Sequence, residues 1–327
     1  MFDIKNYNLQ LFAEPNTNVT SSSGLTDEMK TYYSDYLIDN ATPKLVHDQF
    51  GQKHPIPKNG GKTIEFRKYN PLPKLTTPIS EGITPDGQSL TMSTITAEVK
   101  QYGGYITLSD VLLLTAIDNN LVQATKLLGA QAGATLDTIV REVLNGGTNV
   151  IFSGGKEARS SLADGDKLNV TDVKKAVRLL KSQNAEKING SWVGIIHPDM
   201  AFDLTEDPLW KDVKTYDPDD LYEGEIGKIH GVRFVETTEA KIWAKAGAGS
   251  RAVYSTLILG DNAYGTTEIS GGGLQHIVKQ LGSAGTGDPL DQRATAGWKA
   301  TKCAERLVES YMVRIESTST FNPTADN

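Results

Sequence analysis

The chain has few of the features that mark secreted, membrane or nucleic-acid-binding proteins. Cys303 is its only cysteine, so no disulfide framework exists within the chain. It has no run of eighteen apolar residues, which predicts no membrane-spanning helix. It has no run of lysine and arginine, and its net charge is −7, whereas a sequence-specific nucleic-acid-binding protein usually has a basic face. With 327 residues, 38% hydrophobic and 22% charged, the sequence predicts a soluble globular protein of two or three domains.

The sequence also has little that could form a catalytic centre. Its five histidines are scattered, and no two have the spacing of metal ligands. The nearest approach to a site is His197-Pro-Asp199, which we interpret as a strand-to-helix turn in which Asp199 caps the helix that follows. Lys302 could lower the pKa of the neighbouring Cys303 thiol, but a buried inert thiol is the simpler interpretation.

Two loops match ligand-binding motifs only in part. Gly61-Lys-Thr63 ends like a phosphate-binding loop, but the motif needs glycine at position 56, which is Ile56, so a hairpin turn is favoured. The acidic turn 217–223 could collect a divalent cation, although its spacing is not that of a known calcium loop, and a solvated turn is favoured. Its carboxylates belong to Asp217, Asp219, Asp220 and Glu223. We therefore predict no catalytic residue, no cofactor and no metal site.

A long helix is predicted over 117–144, because apolar or small residues recur there at steps of three and four. The residues on this face are Ile117, Leu121, Ala124, Leu128, Ala132, Thr135, Ile139 and Val143. Asp118 and Asn119 supply acceptors at the start, and Asn145-Gly-Gly147 ends the helix. Small residues at 129–134 would let another backbone approach closely. An ordinary long core helix remains the alternative interpretation.

The residues 63–108 predict an extended hairpin around an irregular tip. Ile64 and Phe66 alternate with polar residues on a first strand, as one face of a strand does. The tip, 70–88, is rich in proline and glycine, and alternation then resumes and ends at Leu108. A lone hairpin is marginally stable and its edges invite pairing, so it either lies on another surface or folds onto its own domain. Glu81 and Asp86 at the tip are expected to contact a neighbour.

The two ends and the second half of the chain differ in character. Residues 1–24 resemble an arm with a short apolar hook of Leu9, Leu11 and Phe12. A helix over 172–187, a buried strand over 192–196, a hairpin over 226–236 with Gly231 at its bend and a strand over 253–260 predict an α+β region. The segment 296–318 is rich in β-forming residues, although a helix over 304–310 stays open.

Several segments of the chain carry a resemblance to a known family. They are Gly104-Tyr-Ile-Thr-Leu-Ser-Asp110, Ile196-His-Pro-Asp-Met200, Gly224-Glu-Ile-Gly-Lys-Ile-His-Gly-Val-Arg-Phe-Val-Glu-Thr237, Asp288-Pro-Leu-Asp-Gln-Arg-Ala-Thr-Ala-Gly-Trp-Lys-Ala-Thr301 and Ala304-Glu-Arg-Leu-Val-Glu-Ser-Tyr-Met-Val-Arg-Ile-Glu316. In this order they are similar to segments of the N4-like major capsid protein family. The opening Asn8-Leu-Gln-Leu-Phe-Ala13 resembles the N-termini of many phage head proteins from Gram-positive hosts.

The resemblance implies the Hong-Kong-97-type α+β fold of tailed-phage capsids. It implies an N-terminal arm at 1–54, an extended loop at 55–108, a peripheral domain with a long spine helix at 109–168 and 296–327, and an axial domain at 169–295. The implied partners are further copies of the chain in hexamers and pentamers, with scaffold, portal and decoration proteins as further candidates. Its place would be the virion capsid, after assembly in the host cytoplasm. The shell would enclose DNA without sequence-specific binding, and no membrane is involved.

The residues expected at assembly contacts are Leu9, Leu11, Phe12, Ile64, Phe66, Glu81 and Asp86. No catalytic residue is carried over from the family. Two other functions compete with that of a capsid shell. One is an encapsulin-like cellular compartment on the same fold, and the other is a metal-dependent enzyme that uses the acidic turn 217–223.

Overall fold

The structure is a computed structural model that describes residues 17–19, 46–78, 81–82, 86–115, 120–210, 225–283 and 287–327. The chain divides into two compact units. The first unit consists of Met1–Leu45, Gln101–Thr135 and Gly272–Ala300, and the second of Val46–Lys100, Leu136–Gly271 and Thr301–Asn327.

In chain order the elements are β1 (Thr17–Val19), β2 (Gln52–Lys53), β3 (Thr63–Tyr69), β4 (Met92–Glu98), β5 (Lys100–Ser109), α1 (Asp110–Thr115), α2 (Asn120–Asn145), β6 (Val150–Phe152), α3 (Val170–Ser182), β7 (Trp192–Ile196), α4 (Pro198–Glu206), β8 (Glu225–Ile229), β9 (Val232–Glu236), β10 (Ile242–Trp243), β11 (Val253–Leu259), β12 (Tyr264–Thr267), β13 (Gln275–Lys279), β14 (Arg293–Arg306) and β15 (Met312–Ser317).

The first unit is built on a sheet in which β5 lies between β1 and the first part of β14. β1 runs parallel to β5, and β13 pairs antiparallel with β14. The backbones approach closely at Gly103, where a Cβ atom would lie 2.7 Å from the carbonyl oxygen of Trp298. The indole Nε1 of Trp298 donates a hydrogen bond of 3.0 Å to Oε1 of Gln131, which ties the first half of α2 to this sheet.

The helix α2 has 26 residues and a length of about 39 Å. It ends at Asn145, as predicted, and the amide of Gly146 bonds back to the carbonyl of Glu142 at 3.1 Å. The predicted start with Asp118 and Asn119 lies outside the described residues. The predicted apolar face is confirmed at Ala124, Leu128 and Ala132, which are all buried.

The predicted face is wrong in the second half of α2. Leu136, Val140 and Leu144 are buried there, whereas Thr135, Ile139 and Val143 are only half-buried. The buried positions follow steps of four, so the buried stripe turns steadily around the helix axis instead of keeping to one face. The reason is that the two halves of α2 belong to different units, and each half packs within its own unit.

The main sheet of the second unit has the order β6-β15-β11-β7-β9-β8, and β10 pairs with β11. Its central strands β7, β11 and β15 are buried along their whole length, as sheets covered on both faces are. The predictions of a buried strand over 192–196 and a strand over 253–260 are confirmed. So is the 226–236 hairpin, whose turn residues His230 and Gly231 have φ of 51° and 83°.

The helix α3 covers this sheet with the predicted residues, since Val173, Ala176, Val177 and Leu180 are all buried. It begins at Val170, where the side chain of Asn169 accepts a hydrogen bond from the amide of Asp172. It ends at Ser182 rather than at the predicted Lys187, because Asn184 takes a left-handed conformation with φ of 55° that stops the helix.

The chain after Ala300 returns to the second unit. There the end of β14 pairs with β12, which is also paired in parallel with β2. The possible helix over 304–310 is not formed, because β14 continues to Arg306 and only a short 3-10 turn at Glu309–Tyr311 follows. Val313 and Ile315 of β15 then enter the core of the unit.

Candidate assembly surfaces

The predicted hairpin exists as a two-stranded ribbon of β3 and β4, in antiparallel register from Thr63↔Glu98 to Tyr69↔Met92. Seven residues in each strand give the ribbon a length of about 24 Å. In the described part of the chain, neither strand pairs with a third strand, so the backbone groups along both outer edges are available. Such edges favour pairing with another chain.

The sequence placed the end of the hairpin incorrectly. The alternation up to Leu108 does not belong to the second strand of the ribbon, because β4 ends at Glu98 and β5 begins at Lys100 in a different sheet. Periodicity of two is the same in both strands, and only the partner strand differs. The ribbon is therefore confined to 63–98.

The base of the ribbon packs against other residues of the second unit through Ile64 and Phe66, which are both half-buried. The ring of Phe66 lies edge-on to the ring of His54, with 5.8 Å between centroids. A Cβ atom at Gly265 of β12 would come within 3.1 Å of the Phe66 ring, so glycine makes room for this contact. These two residues, predicted as assembly residues, lie against their own subunit here, and a role in contacts between subunits stays a prediction.

The far end of the ribbon and the segment beyond it expose large apolar side chains. Their exposed fractions are Tyr69 68%, Leu72 51%, Leu75 79%, Leu90 72% and Met92 46%. The described residues of 70–91 form neither helix nor strand, and all of them are exposed to solvent, so little of their surface is buried within the subunit. Exposed apolar groups in such a concentration are typical of a surface that another molecule covers. We call Tyr69, Leu72, Leu75, Leu90 and Met92 the apolar tip.

The other predicted assembly residues divide into two groups. Glu81 and Asp86 lie in the same segment as the apolar tip, and both are exposed to solvent. Leu9, Leu11 and Phe12 lie outside the described residues. Their role at contacts between subunits stays a prediction for both groups.

The turn His197-Pro-Asp199 has a structural role, but the cap was assigned to the wrong residue. Pro198 is the first residue of α4, so the cap falls on His197, whose Nδ1 accepts a hydrogen bond of 3.2 Å from the amide of Asp199. The carboxylate of Asp199 instead accepts a hydrogen bond of 2.6 Å from the hydroxyl of Tyr254. Burial lowers the pKa of His197, and burial together with this bond to Asp199 raises the pKa of Tyr254. The hydroxyl is thus held in its neutral, donating form.

The remaining sequence candidates that the structure describes are not arranged as a catalytic or ligand-binding site. Cys303 lies half-buried in β14, and burial and the nearby Glu305 raise the pKa of its thiol, contrary to the lowering that a lysine neighbour suggested. Gly61 has φ of 86° before the first strand of the ribbon, as a turn requires. The acidic turn 217–223 lies outside the described residues. Among those that are described, no three histidine, cysteine or acidic side chains are grouped to hold a metal.

Two buried polar clusters were missed by the sequence reasoning. In the first, Glu316 is fully buried and its carboxylate accepts hydrogen bonds from Arg159 Nε at 2.7 Å, Arg159 Nη2 at 2.8 Å and Arg314 Nε at 2.8 Å. Arg159 also stacks on the ring of Trp243 at 3.5 Å. Burial lowers the pKa of Arg314, and the charge of Glu316 opposes this shift. The cluster joins β15, β10 and the 3-10 turn at Arg159–Ser161.

The second cluster joins the residues after position 45 to α2. Asp137 of α2 accepts hydrogen bonds from the amide of His47 at 2.8 Å and lies 2.6 Å from its Nδ1 atom. The hydroxyl of Tyr264 donates to the carbonyl of His47, and Lys302 pairs with Asp48 at 2.7 Å. No periodicity or spacing marks these residues, since they come from four distant parts of the sequence.

A model of the phage capsid protein family matches residues 114–280, which is just over half of the chain. The chain belongs to the phage capsid protein family. It is a major capsid protein, a structural subunit of a phage head, and the family favours neither the cellular compartment nor the metal-dependent enzyme. No helix within the described residues is long and apolar enough to cross a membrane. A search of curated proteins gave no significant match.

Solved phage capsids have the same mixed helix and sheet fold. The capsid of Ralstonia phage GP4 has 13% identity and a TM-score of 0.67 over 97% of this chain and 100% of that chain. The capsid asymmetric unit of cyanophage Pam1 has 14% identity and a TM-score of 0.68 over 98% and 100%. The head structure of Helicobacter pylori bacteriophage KHP40 has 12% identity and a TM-score of 0.56 over 98% of each chain. At such identities, the likeness shows the fold and not its details.

Proposed function

We propose that copies of this capsid protein gather into hexamers and pentamers that close into the icosahedral head of an N4-like tailed phage. In this arrangement the segments 1–54 and 55–108 serve as arm and extended loop, 109–168 with 296–327 as the peripheral domain, and 169–295 as the axial domain. Copies would assemble in the host cytoplasm, with scaffold, portal and decoration proteins as further partners.

One observation carries the proposal: the apolar tip lies at the end of a ribbon that is anchored at its base and that, within the described residues, pairs with no third strand. A side chain such as Leu75, at 79% exposure, gains little hydrophobic free energy from folding in a single copy. The same side chain would be buried if the tip lay over a neighbouring subunit. Both free edges of the ribbon could then pair with strands of that neighbour, and obligate interfaces of this kind commonly bury more than about 2,000 Å².

Assembly is tested first by electron microscopy of the purified full-length protein, alone and with scaffold and portal proteins. We expect icosahedral shells or isolated capsomers, because contacts between copies would bury the apolar tip that a single subunit leaves exposed. A monodisperse monomer at high concentration, even with the scaffold and portal, would contradict the proposal.

Deletion of residues 70–88 tests the role of the tip. We expect the variant to stay folded, because every residue of the segment that the structure describes is exposed to solvent. It should fail to form shells, because the exposed leucines of the segment would be lost with it. Circular dichroism measures the fold and electron microscopy measures the shells. Particles of normal size and yield would show that the tip is not an assembly element.

A further inference from the structure

A basic groove lies on the second unit between α3 and the turn that joins β8 to β9. It encloses about 470 Å³ and is lined by Lys174, Val177, Arg178, Lys181 and His230. Three cationic residues of α3 follow each other at intervals of four and three positions, so they share one face of the helix. Their span along the helix axis is about 10 Å at 1.5 Å per residue. We call Lys174, Arg178, Lys181 and His230 the basic groove.

The cations of the groove have no acidic partners within the part of the chain that the structure describes. Lys175, which lies on the neighbouring face of α3, pairs with Asp172 at 2.8 Å. Among the residues that the structure describes, none forms an ion pair with Lys174, Arg178 or Lys181, and all three are exposed to solvent. The whole chain has more acidic residues, 40, than basic residues, 33. Three neighbouring cations without an acidic partner are therefore a local departure from the overall charge balance.

The pKa of the turn residue His230 reflects the positive charge of the neighbouring lysines. Burial lowers the pKa of its imidazole, and the charges of Lys174 and Lys181 lower the pKa further. A further cation lies close by, since Lys187 Nζ is 4.8 Å from the centre of the Trp192 ring and borders the same turn at Gly231. Cationic groups from α3 and from the segment after α3 therefore converge beside the turn of His230 and Gly231. Such convergence concentrates anions.

We propose that the basic groove binds the phosphate groups of double-stranded DNA. Lysine and arginine are the side chains that contact nucleic-acid phosphates, and arginine can do so through two parallel hydrogen bonds. The lining has no asparagine or glutamine, which are the side chains that read adenine, and its cations suit phosphates at any sequence, so we expect binding to depend mainly on the DNA backbone. DNA binding would also be separable from shell assembly, because the apolar tip contributes nothing to this groove.

The test is the affinity of the purified full-length protein for a fluorescent DNA duplex between 50 and 200 mM salt, with light scattering recorded to follow assembly. Release of counterions by three cations predicts a slope of about −2.7 for log K against log salt, which is about a 40-fold loss over this range. The triple variant Lys174→Gln, Arg178→Gln and Lys181→Gln should lose most of this slope and bind at least about 10-fold more weakly at 50 mM salt.

A matched control removes three other exposed cations of the second unit, by Lys58→Gln, Lys62→Gln and Lys245→Gln. The control should keep the affinity and slope of the parent protein, because these lysines are outside the groove. Equal affinity and slope for the parent and the groove variant would overturn the proposal. So would poly-glutamate binding as tightly as DNA, because the groove would then prefer carboxylates. Inorganic pyrophosphate that competes with DNA only in proteins with the intact groove would support it.

Discussion

Replacement of three leucines in the apolar tip by glutamine tests the assembly model without shortening the chain. Leu72, Leu75 and Leu90 have exposed fractions of 51%, 79% and 72% in the subunit. Full burial of a leucine is worth about 1.5–3 kcal/mol, and about two-thirds of that remains to be gained by each of these side chains in an interface. The three together would contribute about 3–6 kcal/mol to each contact between subunits.

A loss of this size should be visible as a failure to assemble. A contact weaker by about 3–6 kcal/mol has a dissociation constant roughly 100-fold to 10,000-fold higher. Light scattering against protein concentration should therefore show the onset of assembly at a concentration at least about 100-fold higher than for the parent protein. Exposed substitutions change stability by about 0.5 kcal/mol or less each, so the urea midpoint should change little.

The chain offers a matched control in three leucines outside the ribbon. Leu127, Leu209 and Leu290 have exposed fractions of 66%, 43% and 75%, which is a similar amount of free apolar surface. Their replacement by glutamine should leave the onset of assembly near that of the parent. If both triple variants assembled equally well, or equally badly, exposure at the tip would have no special part in the contact and the reasoning would be refuted.

Two further predictions concern the interior of each unit. Glu316→Gln should lower the free energy of unfolding by about 3–5 kcal/mol in urea denaturation, because Arg159 and Arg314 lose the buried carboxylate between them. The exposed Glu157→Gln is the control, and a cost below about 1 kcal/mol for the buried site would be inconsistent with this account. Gly103→Ala should cost about 1–3 kcal/mol in thermal unfolding, because its Cβ atom would lie 2.7 Å from a backbone oxygen, whereas Gly87→Ala, with open space around it, should not.

Local patterns in the sequence were sufficient to predict several elements that lie within one unit along their whole length. The strand β7 is apolar and buried throughout, the buried face of α3 keeps one helical period, and Ile64 and Phe66 alternate with exposed residues in β3. The turn at Gly231 and the end of α2 at Asn145 are fixed by neighbouring residues that leave few conformations. These features depend on interactions within a few residues, and the sequence contains all the information that they need.

The errors occurred where the partner of an element changes along its length. The face of α2 was predicted as one stripe, but its two halves pack in different units and bury different sides. The alternation after Glu98 continues through β5 without a change of period, although the strand it belongs to pairs elsewhere. Periodicity reports that a face is buried, and it carries no information about which surface buries it.

The candidate sites were harder to predict than the fold, because they combine distant residues. The absence of a Lys/Arg run was taken as evidence against a sequence-specific nucleic-acid-binding protein. It does not exclude a basic helix face, because Lys174, Arg178 and Lys181 are separated in sequence and adjacent on α3. His230 joins them only through the turn between two strands. In the same way, Glu316 and Arg159 are paired although they lie 157 positions apart in the sequence, and no local pattern predicts this pairing.

The ribbon gives the clearest physical reason to treat the predicted assembly residues as two sets. Phe66 lies beside Gly265 and is half-buried within its own subunit, so the base has already gained most of the free energy that its apolar surface can supply. Leu75, beyond the end of the ribbon, has gained almost none. Contacts within its own subunit fix the direction of the ribbon at the base. Contacts with a neighbouring subunit would bury the exposed apolar side chains at the tip. Substitutions at the base should therefore alter where the tip points, whereas substitutions at the tip should alter how tightly the neighbour is held.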